Sequence, residues 1–82
     1  MTEAVSRTRT SFRKQFTVRG VRLRASVYRT KDGEWKILSV GALDLPTAML
    51  PFEVQQIAMG LVRAPAFETD NQAVAALLDA GQ

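Results

Sequence analysis

Between residues 12 and 42, apolar and polar side chains alternate with period two, and the alternation is punctuated at Arg19-Gly20 and at Asp32-Gly33. Period two places successive side chains on opposite faces of a strand and cannot be satisfied by a helix. Two breaks of turn length leave three strands, and connections this short join only antiparallel neighbours. The segment therefore folds as a three-stranded antiparallel meander, or, if Gly20 marks a bulge rather than a turn, as one long strand paired with a second.

The turn at Arg19-Gly20 explains the change of phase economically. Before it the apolar set is Phe12, Phe16 and Val18, interrupted by Lys14; after it the set is Val21, Leu23, Ala25 and Val27. A two-residue loop would pair Val18 with Val21, Phe16 with Leu23 and Phe12 with Val27, although Arg is a poor first residue for the type I′ turn this needs. Asp32-Gly33 is the stronger hairpin signal, since both residues tolerate positive φ. A two-residue loop there sets Lys31 opposite Glu34, Thr30 opposite Trp35, Tyr28 opposite Ile37 and Val27 opposite Leu38. The third strand then runs over 34–42.

That register sorts the side chains. Phe12, Phe16, Val18, Val21, Leu23, Ala25, Val27, Leu38, Val40 and Ala42 form the core face. Arg13, Gln15, Thr17, Arg22, Arg24, Ser26, Tyr28, Trp35, Ile37 and Ser39 form the other, which an antiparallel sheet can leave in water. A slip of one residue would exchange the faces of the slipped strand.

Beyond residue 43 the period lengthens. Pro46 punctuates a connection, and Pro51 suits a first helical position. Val54, Ile57, Ala58, Leu61 and Val62 make one apolar stripe, with Glu53 and Arg63 at the ends that favour their charges. Pro65 ends this helix. Thr69 and Gln72 match a capping box for a second helix through Ala80, with Gly81 as its C-terminal cap. Met49, Leu50 and Phe52 either staple the first helix to the sheet or form an exposed patch. The expected fold class is α+β, a three-stranded antiparallel β-meander followed by two short helices packed on one face (βββαα). Residues 1–11 are expected to be a flexible basic N-terminal arm, without the apolar stretch of a secretory signal, and residues 12–82 a single small domain.

Charge is divided unevenly along this frame. The first 36 residues hold ten of the eleven cations against three acids, a net of +7; the remainder holds Arg63 against five acids, a net of −4. Eight of the cations are Arg, whose planar fork suits phosphate better than the point charge of Lys. There is no His and no Cys. That removes the commonest general base, the commonest metal ligand, the thiolate nucleophile and any disulfide. The acid pairs Asp32/Glu34 and Glu68/Asp70 are accounted for by a turn and a helix start. No enzyme, cofactor or metal is expected. With no apolar run near the roughly 20 residues that span a bilayer, and no Cys, a cytoplasmic protein without membrane partners is expected.

Binding remains. Arg22 and Arg24 project from one face of one strand, Arg13 joins them from the next, and the arm adds Arg7 and Arg9. Tyr28 and Trp35 could receive bases by stacking while the cations follow phosphates, the pattern of single-strand binding. The plain structural account is that wet sheet faces carry cations against aggregation and that the two rings support a hairpin, or are buried if a helix covers them. The expected partner is nucleic acid, DNA or RNA, or else an acidic or nucleoprotein partner; a homodimer through strand edges or helices would give the thin sheet more cover. In layout, the basic sheet followed by a helix over 12–63 resembles the single-stranded-DNA-binding transcriptional coactivators, without a shared residue motif. In size and lack of enzyme motifs, the chain is similar to small inhibitor proteins of phages and mobile elements, anti-CRISPR proteins among them. That likeness implies docking on a larger machine.

Overall fold

The computed structural model describes residues 10–82. Strands β1 (Ser11–Val18), β2 (Val21–Arg29) and β3 (Trp35–Ala42) form one antiparallel sheet in the order β1-β2-β3. A single 3-10 turn at Thr47–Met49 leads to helix α1 (Phe52–Arg63), and helix α2 (Asp70–Ala80) follows. This is the βββαα α+β fold the periodicity predicts. β1 begins at Ser11, and the carbonyl of Thr10 accepts from the Arg29 N–H at 2.8 Å, so the ladder reaches into the end of the expected arm.

The first hairpin has the expected register, with Val18 opposite Val21, Phe16 opposite Leu23 and Phe12 opposite Val27. Its two-residue loop holds Arg19 at φ 49° and Gly20 at φ 81°. Positive φ at both loop positions is the condition for a turn whose twist matches the strands.

The second hairpin departs from expectation. Its loop has three residues, not two. The Thr30 N–H donates to the Glu34 carbonyl (2.7 Å), the Gly33 N–H donates to the Thr30 carbonyl (3.0 Å), and Gly33 alone in the loop has positive φ, at 84°. Such a turn ends in a left-handed glycine and takes one residue more than a type I′ loop. The extra residue slips the register by one, so that Arg29 faces Trp35, Tyr28 faces Lys36 and Val27 faces Ile37. Trp35 and Ile37 are therefore in the core, at 8 % and 1 % exposure, not on the polar face. A bulge between Val27 and Ser26 then takes up Leu38, after which Ser26 faces Ser39 and Ala25 faces Val40 as expected. Leu38, expected in the core, is 60 % exposed.

The inner face of the sheet joins both helices in one core that includes Phe16, Val18, Leu23, Val27, Trp35, Ile37, Val54, Leu61, Ala73 and Leu77. Phe12 packs its ring against Trp35, centroids 5.5 Å apart and planes at 55°. The start of β3 is paired on its outer side as well: the Trp35 N–H donates to the Phe67 carbonyl (2.7 Å) and the Phe67 N–H returns to Trp35 (2.6 Å). Pro51 stands one position earlier than expected, as the N-cap of α1. At the far end of α1, the Lys36 ammonium donates to the carbonyls of Val62 (2.9 Å) and Ala64 (2.7 Å), satisfying groups a helix end leaves open. The Thr69/Gln72 capping box is formed, and Gly81 caps α2. A Cβ at Gly81 would collide with the Thr17 carbonyl oxygen, so this glycine also lets the helix end approach β1 closely.

Candidate nucleic-acid interface

Both helices pack on the inner face of the sheet. The outer face is built from β1 residues Ser11, Arg13, Gln15 and Thr17, all exposed, and from Arg22, Arg24, Ser26 and Tyr28 of β2. Register puts Arg13 beside Ser26, Gln15 beside Arg24, Thr17 beside Arg22, and Ser11 beside Tyr28. β3 contributes Ser39 opposite Ser26 and Gly41 opposite Arg24. None of these residues is acidic. Same-face neighbours on one strand repeat about every 6–7 Å, so Tyr28, Ser26, Arg24 and Arg22 form a line down the middle of the sheet.

The cations on this face are not equivalent. Arg22 is held by Asp44 in a two-pronged pair, Nε to Oδ2 at 2.9 Å and Nη2 to Oδ1 at 2.7 Å. The charge-assisted hydrogen bond from Arg22 holds the Asp44 carboxyl below its ordinary range, and the same bond with the attraction of Asp44 raises the guanidinium. Asp44 lies in the loop after β3, whose path is fixed by the Leu43 N–H donating to the Arg22 carbonyl at 3.1 Å. Arg13 and Arg24 have no acidic neighbour of this kind among the described residues. Arg19, at the turn, stands 4.0 Å from Glu53.

One of the expected contributors changes place. Trp35 is buried against Phe12 and offers no face for stacking, because the three-residue loop turns it inward. Arg7 and Arg9 lie outside the described residues. Tyr28 stays on the outer face, half-buried, beside a cleft of about 340 Å³ that Arg13, Ser26 and Leu38 also line. A second, smaller hollow of about 180 Å³ lies by Arg24, Ser26, Ser39 and Gly41. Leu38 was not expected here. The signal for it is the apolar spacing of β3: Trp35 and Ile37 are two apart, Val40 and Ala42 are two apart, but Ile37 and Val40 are three apart. An extra residue between two in-phase pairs is what a bulge accommodates.

A separate apolar groove of about 390 Å³ runs between β3 and α1, lined by Val40, Leu50, Ala58, Met59 and Val62, with Gln55 and Arg63 at its polar margins. Leu50 is buried there, whereas Met49 and Phe52 stand at 70 % and 72 % exposure, so this stretch is part staple and part exposed patch. Among the described residues no group of three His, Cys, Asp or Glu converges as a metal site would need, and no helix is long and apolar enough to cross a membrane. No protein-family model, curated protein or solved structure matches this chain, so neither the likeness in layout nor the likeness in size gains a counterpart.

Proposed function

We propose that this protein is a non-catalytic nucleic-acid-binding module that presents the outer face of its sheet to the phosphate backbone. One observation supports this above the rest: a sheet face bare of acids carries Arg13 and Arg24, without acidic partners among the described residues, on the successive rungs that follow the half-buried Tyr28. Phosphates are bound by such arginines at little cost, since no existing pair has to be broken. Arg22 is the weaker contributor, because Asp44 already occupies its fork. Arg7 and Arg9, close in sequence to β1, add charge to the same partner.

The test is fluorescence anisotropy of labelled DNA and RNA oligonucleotides against a salt series. Affinity should fall steeply with salt, by about 0.7 in log–log slope for each single-strand phosphate contact. Arg13→Glu and Arg24→Glu should each weaken binding strongly, and Arg22→Glu less. Absence of binding to any strand at low salt overturns the proposal.

A second reading is favoured by a different surface. Exposed Met49, Phe52 and Met59 beside the apolar groove are the kind of residues that meet a protein partner, as an inhibitor or regulatory subunit docking on a larger machine would require. Nucleic-acid binding that survives Phe52→Ser and Met59→Ser but not Arg24→Glu assigns the sheet face to nucleic acid; a stoichiometric protein complex lost in the first two variants and kept in the third assigns the function to the groove.

A further inference from the structure

The outer face holds one feature that phosphate binding does not use. At the bulge, Leu38 leaves the core and lies beside Tyr28, and with Ser11, Arg13 and Ser26 the two line the cleft of about 340 Å³. A bulge next to a site commonly serves to re-aim one side chain. Here it sets a large aliphatic group on an otherwise polar face, at the cost of exposing it to water. The volume is at the small end of sites that take a small ligand, for which roughly 300–1,000 Å³ is typical. The lining is that of a site for a flat, amphipathic group: an aromatic ring and a leucine to cover its apolar surface, serine hydroxyls to meet its polar edge, and a guanidinium at the margin.

We infer that this cleft takes a single unpaired nucleobase, covered by Tyr28 and Leu38, while Arg13 and Arg24 hold phosphates of the same strand. The inference rests on the proposed function and narrows it to single-stranded nucleic acid, because a base inside a duplex cannot leave its stack without loss of pairing. Charge complementarity selects this occupant over an apolar peptide: the cleft opens on a face with arginines and no acids, which suits a ligand carrying an anion beside each flat ring. Stacking tolerates any base, so little sequence preference is expected.

Anisotropy titrations with the full chain use four probes of equal phosphate count: a thymine DNA strand, a uracil RNA strand, an abasic DNA strand and a duplex. The base-bearing strand, DNA, RNA or both, should bind about tenfold more tightly than the abasic strand, the increment of about one stacked base. Tyr28→Leu and Leu38→Ser should erase most of that gap and leave abasic binding unchanged, whereas Tyr28→Phe should keep it. Leu38 is exposed, so its substitution leaves the core intact, and a thermal melt of each variant verifies the fold. Equal affinity for base-bearing and abasic strands, or for single strand and duplex, overturns the base cleft and leaves the phosphate-binding reading standing. Loss of all binding at low salt overturns both.

Discussion

The two hairpins share β2 and differ by a single loop residue. The first closes with Arg19-Gly20, both at positive φ, and its register runs unbroken through β1. The second closes through Lys31-Asp32-Gly33 with positive φ only at Gly33, and its register is corrected by a bulge halfway along β3. Since side chains alternate with period two, one loop residue decides which of Ile37 and Leu38 is inside. The regular hairpin yields a uniform wall. The irregular one yields both a buried tryptophan and an exposed leucine beside Tyr28.

The largest expected effect tests that inversion directly. Ile37→Ala removes a fully buried side chain and should destabilise by about 2–5 kcal/mol. Leu38→Ala, one residue away, should change stability by no more than about 0.5 kcal/mol. Urea denaturation of both variants measures the difference. The reverse order would restore the two-residue loop and remove the cleft as drawn. Phe16→Ala, in the regular hairpin, should fall with Ile37→Ala because its register is not in question.

Legibility in the sequence follows the same division. The first hairpin is readable because Phe16/Leu23 and Val18/Val21 match only when Arg19-Gly20 is the loop. The helices are readable because Val54, Ala58 and Leu61 repeat at helical spacing and Thr69 with Gln72 is a local motif. Asp32-Gly33 misleads because glycine at positive φ ends both a two-residue and a three-residue loop, so the dipeptide fixes the turn but not its length. The arrangement of the site is legible only in part for a related reason. Arg13, Arg24 and Tyr28 follow from alternation alone, but Trp35 and Leu38 depend on the loop. The pair between Arg22 and Asp44 joins residues 22 apart, and nothing local in the chain announces it.

Turn chemistry sharpens the comparison at smaller magnitude. Arg19 carries the only positive φ of a non-glycine residue among those described. Arg19→Asn supplies a residue that tolerates the left-handed region and should stabilise the first hairpin by about 0.5–1 kcal/mol. Its contact with Glu53, at 4.0 Å on the surface, offsets little of this. Gly33→Ala should act in the opposite sense, costing about 1 kcal/mol, because a Cβ meets no neighbour there and only the φ of 84° opposes it. Shifts of opposite sign in melting temperature are expected, with that of Gly33→Ala at least as large. A neutral Gly33→Ala would mean that the second loop relaxes to another turn.

The smallest effect concerns Asp44, the loop acid that pairs with Arg22 at the end of the sheet. Asp44 has a lowered pKa in the folded chain, chiefly through the hydrogen bond from Arg22, so the pair adds stability above the carboxylate's unfolded pKa and loses it as pH falls through the folded value. Asp44→Asn should therefore be slightly less stable than the parent at neutral pH and indistinguishable from it in acid, below the ordinary carboxylate range. Paired urea titrations at the two pH values check the convergence. At neutral pH the same substitution frees the Arg22 fork without adding a charge of its own. If the outer face binds phosphate, Asp44→Asn should tighten binding to a single strand and steepen its salt dependence by up to about 0.7 in slope, one further contact. The stability and binding effects then have opposite signs in one variant, because a carboxylate that steadies the end of the sheet also competes with phosphate for the same guanidinium.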